Sequence, residues 1–397
     1  MERTVGTVAR GLRAPIIKEG DDLVEIVVET ILNSSKNEGF EINDRDVIAL
    51  TESIVARAQG NYAAIDDIAT DIQNKFDQDT VGVLFPILSR NRFMNLLKGF
   101  ARGAKEVVIQ LSYPADEVGN HLISREQLDQ AGVNPWSDTL TEEEFENYFG
   151  KTSHPFTGVD YVALYREIVT NENVPCTIIF SNDPKAILEY TDSVLVSEVH
   201  QRKRNMQVLK NAGAKKVFEL GDILDTPASE NGGYNAEFGL LGANNATADS
   251  VKLFPSHSNQ IVRAIQNKVE ERTGKTIEAM VYGDGAFKDP VGEIWELADP
   301  VVSPGYTNGL EGTPNEVKLK YLADNAHADL SGDELQEAIK DSIEQKENQA
   351  KDADASLGTT PRQITDLLGS LADLTSGSGD KGTPFVYIQG YFDDFTS

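Results

Sequence analysis

Apolar positions along this chain recur at two spacings, every second residue and every third or fourth, and the switches between them mark its elements. TVARGL near the start reads as a short strand. A helix follows, on which Leu23, Ile26, Val27 and Ile31 fall at helical spacing. Asp21 and Asp22 stand in its first turn, where the dipole favours negative charge and capping is their expected role. Val47 to Leu50 predicts a buried strand running into a polar segment that carries Arg57 and closes at Gly60. From about Ala63 to Gly103 the spacing is helical, with a kink expected at Pro86. Four runs rich in β-branched residues come next: VVIQL from Val107, TIIF from Thr177, VLVSEV from Val194 and KVFEL from Lys216. Helical patterns separate the last three, which predicts a small parallel α/β layer. No GxGxxG turn follows any of these strands, which speaks against a dinucleotide fingerprint. The stretch Ser112 to Val174 is irregular apart from a helix expected in WSDTLTEEEFENYF.

The segment FGLLGANNATADSVKLFP, Phe238 to Pro255, opens apolar as a strand does. It then passes through Gly242, Asn244 and Asn245, reaches Asp249 and Ser250, and turns apolar again at Val251 and Leu253. Small residues and short polar side chains offer close backbone approach, N–H groups and one carboxylate, as an anion with its cation requires. The same composition also suits a plain surface loop. Asn259 to Thr273 is an amphipathic helix along Ile261, Ile265 and Val269, with Gly274 as its stop. IEAMVYGD predicts a strand that delivers Asp284 to the turn Gly283-Asp284-Gly285, a position open to a metal ion or to a simple Asp-Gly turn. Beyond the Gly/Pro-rich loop Ser303 to Pro314, the acidic stretch Ala323 to Leu357 predicts a solvated helix opening in capping-box register at Ser331 and Glu334. A last helix along Ile364, Leu367, Leu368 and Leu371 leads into a Gly-Ser-Gly-Asp loop and an apolar strand, placing backbone N–H groups where phosphate is cradled.

Composition narrows the function. At 397 residues the chain predicts two or three domains, and 40% hydrophobic with 25% charged residues is a globular balance. No apolar run approaches the roughly 18 residues of a membrane helix, and MERTVGTVARGL lacks the apolar core of a signal peptide. Cys176 is the sole cysteine, so a cytoplasmic setting is expected. A net charge of -28 argues against nucleic acid or anionic membrane as partners. Two basic islands stand out, Arg90 to Lys105 and Gln201 to Val217, each suited to an anionic partner or to ion pairs within the protein. The five histidines, His257 among them, show no zinc-site spacing.

Five of these stretches resemble the coenzyme F-420-0 gamma-glutamyl ligase family. GLRAPIIKEGDDL is similar to that family's Gly-Leu-Pro-x-Ile-Lys-x-Gly-Asp-Asp-Leu opening, and VIALTESIVARAQG to its strand followed by Lys-Ile-Val-Ser-Lys-Ala-Glu-Gly. GLLGANNATADSV resembles its Val-Cys-Ala-Asn-Ala-Gly-Val-Asp-x-Ser-Asn signature, and VYGDGAFKDP its Thr-Asp-Thr-Phe-Gly-Arg-Pro segment. LADLTSGSGDKGTPFVYIQGY is similar to its closing helix, Gly-Gln-x-Asp-Glu loop and Pro-Val strand. The five occur in the family's order and cover roughly residues 8–62 and 236–391. Residues 105–234 have no counterpart.

The resemblance implies an α+β, two-lobed ligase-like fold with an inserted α/β layer. Residues 1–104 and 235–397 would form the core and 105–234 the insertion. It implies a cytoplasmic homodimer that joins L-glutamate to a carboxylate on a small-molecule acceptor, a deazaflavin coenzyme or analogue. GTP or ATP would supply the energy through an acyl-phosphate. By the same resemblance Ala14, Pro15, Ile16, Ile17, Lys18, Arg57, Gly377, Ser378, Gly379 and Asp380 would frame the nucleotide. Asp249 and Asp284 would hold magnesium or manganese, hard cations suited to oxygen ligands, supported by Asn244, Asn245, Ser250 and Gly285. The sequence departs from the family at several of these places. Ala248 aligns with the family's metal-binding Asp, with Asp249 as its neighbour, and Gly285 stands for its Thr. Arg57 replaces its Lys and Ser378 its Gln. Two other functions fit the same residues: a nucleotide- and metal-binding regulatory or scaffolding module without ligase activity, and an α/β domain at 105–234 that binds an anionic metabolite or partner through the Arg202–Lys216 island.

Overall fold

A computed structural model describes residues 4–113, 121–155, 158–198, 201–283, 286–288, 295–297, 303–346, 362–376 and 379–396. The chain runs β1 (Val8–Leu12), α1 (Leu23–Glu38), β2 (Val47–Thr51), α2 (Glu52–Gln59), β3 (Tyr62–Ala64), α3 (Ile65–Phe76), β4 (Thr80–Leu84), α4 (Arg90–Gly103) and β5 (Glu106–Leu111). It continues through α5 (Arg125–Ala131), β6 (Leu140–Thr141), α6 (Glu142–Phe149), α7 (Tyr161–Asn171), β7 (Cys176–Phe180), β8 (Ser193–Val196), α8 (Arg202–Asn211) and β9 (Lys216–Glu219). The hairpin β10 (Asn244–Thr247) and β11 (Ser250–Lys252) follows, then α9 (Ser258–Thr273), β12 (Glu278–Tyr282), β13 (Ala286–Lys288), β14 (Trp295–Leu297) and β15 (Gly305–Tyr306). The remaining elements are α10 (Leu319–Tyr321), α11 (Gly332–Glu344), α12 (Ile364–Ser376) and β16 (Phe385–Gln389). This mixture of helices and sheets is α+β, as expected. No described helix is long and apolar enough to cross a membrane. Two compact units emerge: unit 1 is Met1–Ala58, His257–Ala286 and Leu297–Ser397, and unit 2 is Gln59–Ser256 with Phe287–Glu296.

Unit 1 is built on a five-stranded sheet in the order β1-β16-β2-β12-β15. Its strands are apolar on both faces, and alternation sorts them. Ile48 and Leu50 of β2, Ala279 and Val281 of β12, and Phe385 and Tyr387 of β16 pack under α1 and α9. Val47 and Ala49, Met280 and Tyr282, and Val386 and Ile388 pack under α12. The result is a three-layer sandwich whose central strands meet no water. Each of the larger aliphatic and aromatic side chains among them contributes roughly 1.5–3 kcal/mol by burial. Helix α1 starts where the pattern predicts, with the Asp22 side chain accepting from the Glu25 N–H at 3.0 Å. Ser331 does precede α11 but makes no side-chain cap bond there.

Unit 2 carries a six-stranded sheet in the order β6-β7-β5-β4-β8-β9. All its pairings are parallel except β6 on β7. The four expected strands are therefore present, but a fifth lies among them. Thr80–Leu84, expected to be helical, is β4 and sits in mid-sheet. Gly82 accounts for the difference, because a glycine inside a helical pattern passes as a tolerated fault. In the sheet it is required for close approach, since a Cβ there would lie 2.7 Å from Ile187 Cδ1.

Candidate active site

In unit 1 the segment after β1 is fastened at both ends. The Ala14 N–H donates to Gly382 O at 3.1 Å, and the Gly20 N–H donates to Ala58 O at 2.9 Å. Ala14–Lys18 thus lies against the loop before β16, while its far end meets the last turn of α2 beside Arg57. Thr383 Oγ1 donates to Ser376 O at 2.8 Å, closing the loop onto the end of α12. Ile17 anchors the segment at 4% exposure, whereas Ile16 is 79% exposed and Lys18 and Arg57 are open to solvent. Asp21 is committed locally, its Oδ2 accepting from the Lys18 N–H at 2.7 Å. Ala14 therefore stands beside the loop that carries Gly379 and Asp380, Pro15, Ile16, Ile17 and Lys18 follow it along the segment, and the segment's far end meets the turn of α2 that carries Arg57. Gly377 and Ser378 lie outside the described residues. Adjoining Pro15 is a cavity of about 800 Å³ lined also by Arg10, Arg13 and Asn33. Those two arginines were not among the expected site residues. Their signal was the spacing Arg10-Gly-Leu-Arg13 at a strand end. Arg10 also donates to Gln389 Oε1 at 2.6 Å and stands 4.6 Å over the Phe40 ring, so its direction is fixed.

The Asn-rich motif belongs to unit 2 and folds differently from expectation. Phe238–Leu241 is a succession of turns, not a strand. Gly239 and Gly242 take φ values of 52° and 73°, which breaks extended backbone there. The strands lie further on, in the antiparallel hairpin β10–β11. Its side chains hold it to α4. Asn245 Nδ2 donates to Arg90 O at 2.8 Å, while Asn95 Nδ2 donates to Thr247 O at 2.8 Å and Ser250 O at 3.2 Å. Asn244 Nδ2 donates to Gly242 O at 3.2 Å, and the Ser250 and Thr247 hydroxyls meet at 2.7 Å. At the hairpin tip the Asp249 carboxylate, 76% exposed, pairs with Lys98 Nζ at 3.1 Å.

These surroundings do not by themselves suit a divalent cation. An ammonium already faces Asp249, and no group of three or more His, Cys, Asp or Glu side chains comes together among the described residues. Asp284 and Gly285 lie outside those residues. The basic islands are largely neutralised at home. Arg102 pairs with Asp66 and Glu172, Arg202 and Lys203 with Glu219, Lys215 with Asp192, and Lys216 with Asp77. Burial pushes the Cys176 thiol up to about 11, which rules it out as a thiolate nucleophile near neutrality.

Two buried carboxylates of unit 1 escaped the sequence. Asp46, 2% exposed, accepts from the Tyr387 hydroxyl at 2.8 Å, Gln389 Nε2 at 2.9 Å and the Asn43 N–H at 2.8 Å. Burial and the adjacent Asp46 charge push the Tyr387 phenol far above its ordinary range. Glu278 accepts from the Thr307 hydroxyl and from Gln266 Nε2. Gly309 packs closely beside it, since a Cβ there would come within 2.1 Å of Glu278 Oε1 and the carboxylate would have to shift. Both networks read as structural, because Asp46 Oδ2 and Glu278 Oε2 each accept from internal donors.

A family model described as F420-0:Gamma-glutamyl ligase matches residues 11–390, while no curated protein matches the chain. The matched span takes in the fastened segment, the Asn-rich hairpin and the closing loop alike. The chain therefore belongs to the F420-0:gamma-glutamyl ligase family, a family of amide ligases acting on small molecules such as F420-0 and glutamate.

Proposed function

We propose that the protein is a nucleoside-triphosphate-dependent gamma-glutamyl ligase, joining L-glutamate to a carboxylate of F420-0 or an analogue. The observation that carries this is the pair of bonds from Ala14 to Gly382 and from Gly20 to Ala58, which gathers three separated stretches of unit 1 into one basic-edged cradle. In the reaction an acceptor carboxylate oxygen attacks the terminal phosphorus of GTP or ATP, and the bond to the departing nucleoside diphosphate, GDP or ADP, breaks. The glutamate amine then attacks the acyl carbon. Phosphate leaves with the electron pair of the broken C–O bond, and the amine proton passes to solvent. Lys18 and Arg57, with Arg10 and Arg13 at the adjoining cavity, would offset the crowding of anions. Charge-assisted contacts of this kind contribute roughly 1.5–3 kcal/mol each. A cytoplasmic homodimer belongs to the same reading.

Incubation with F420-0, L-glutamate and either nucleotide should yield a product heavier by one glutamyl group in mass spectrometry. Arg57→Ala should raise the nucleotide KM by about tenfold. Its melting temperature should stay unchanged, because the side chain is exposed. Absence of product with both nucleotides would sink the reading. Nucleotide binding without product would instead favour the non-catalytic module, for which the Lys98–Asp249 pair is the supporting observation.

A further inference from the structure

The five parallel strands of unit 2 stand in the order β7-β5-β4-β8-β9. The chain therefore builds outward from β4 to β7, then returns to add β8 on the other flank of β4. Where strand order reverses in such a sheet, the connections leave on opposite faces and open a crevice beyond the carboxyl ends of the strands. Here α4, which follows β4, packs its Phe93 and Leu97 into one core. The helix after β8, α8, packs Leu209 into the other. The crevice between is a cavity of about 450 Å³, within the range of small-molecule pockets. Phe85, Leu111 and Asn182 line it from the ends of β4, β5 and β7, with Glu198 and Arg204 from the β8–α8 side and Trp136 at its wall.

Its polar groups are set in place. Asn205, 2% exposed, donates to the Glu198 carboxylate and accepts from Arg204 Nη1 at 3.3 Å. Arg204 pairs with no carboxylate among the described residues, whereas its neighbours Arg202 and Lys203 both pair with Glu219. Trp136 is 80% exposed, leaving an indole face for a flat ligand. On β5, one residue before the lining Leu111, fully buried Gln110 holds Ser181 O and Asp183 O through Nε2, while its Oε1 finds no partner among the described residues. The first turns of α4 and α8 both lack an acidic residue, but only α4 has a side-chain cap, its Ser89 accepting from the Arg92 N–H. Phe85 at φ 51°, followed by Pro86, occupies the turn where a dinucleotide fold needs glycine, so a pyrophosphate cannot approach that backbone.

We propose that this crevice is a second small-molecule site, for a compound joining a planar aromatic ring to a single phosphate, with the ring on Trp136 and the phosphate on Arg204. Glu198 would accept from hydroxyl groups between them. The inference stands apart from the ligase reading, whose cradle belongs to unit 1. Two sources share this chemistry, a nucleoside monophosphate and a flavin-type phosphate. The test titrates the full chain with adenosine monophosphate, flavin mononucleotide and inorganic phosphate, by calorimetry and by quenching of tryptophan emission. At least one ring compound should bind at one equivalent sensitive to Arg204→Ala and Trp136→Ala, each weakening it about tenfold, while Arg57→Ala leaves it unchanged. Which compound binds distinguishes the sources. Trp136→Ala should also remove the quenching, and because the side chain is exposed it should leave the melting temperature in place. Binding indifferent to both crevice variants, inorganic phosphate binding as tightly as the ring compounds, or no binding of either ring compound would overturn the proposal.

Discussion

Asp46 shows what a single side chain can decide when it is sealed from water. Removing its carboxylate strands the Tyr387 hydroxyl, the Gln389 amide and the Asn43 N–H together. Asp46→Ala should therefore lower unfolding stability by about 3 kcal/mol, read as a shift in urea midpoint, because each orphaned buried donor costs on the order of 1–3 kcal/mol. Tyr387→Phe should cost less, since two donors remain. Nothing near Asp46 announces this in sequence, where INDRDV looks like an ordinary polar turn. Two of its three partners, Tyr387 and Gln389, arrive with β16 at the far end of the chain. Asp22 was legible as a cap because the Glu25 N–H it accepts from lies three residues away, whereas Asp21, expected to cap as well, accepts from the Lys18 N–H ahead of the helix.

Packing between elements follows the same division into local and distant causes. In unit 2, α4 lies on α3 through Gly99 and Gly103. A Cβ on Gly103 would stand 2.6 Å from Ala69 O and 2.7 Å from Ile72 Cβ, so the helices touch through backbone. Helix propensity alone favours Gly103→Ala by about 1 kcal/mol. The clash should outweigh that, with a net loss of about 2 kcal/mol and a lower melting temperature. Gain of stability would show that the helices can part at little cost. The long amphipathic helices α1 and α9 were readable from spacing, because one face of each is buried. Strand β4 and the hairpin β10–β11 were not. The first hides its glycine contact with Ile187, and the second consists of small polar residues whose partners sit on α4.

For the molecule as a whole, alkaline pH offers a test of both units at once. Burial pushes Tyr113 in unit 2 and Tyr282 and Tyr391 in unit 1 up to about 12, from an ordinary 10.0. Unfolded tyrosines ionise first, so their stabilisation is complete below pH 10 and is lost as pH climbs towards 12. Melting temperature should accordingly hold to about pH 10 and fall beyond it, with tyrosinate absorbance rising in step with unfolding. Loss of structure already at pH 9 would point to another group. The α+β character and family were legible at this scale because the motifs survive in order at both ends. The extent of unit 2, Gln59–Ser256, was less so. Its core also takes in Ile68, Phe93 and Leu253, which flank the 105–234 stretch.

The position of β16, between β1 and β2, also sets a timetable for synthesis. A chain emerging from the ribosome releases nearly all of unit 2 as an unbroken run and can close its parallel sheet while still tethered. The other sheet must wait, with the apolar edges of Val8–Leu12 and Val47–Thr51 unmatched, until residues 385–389 clear the exit tunnel. During that interval those edges are what a chaperone, or a neighbouring nascent chain, would meet.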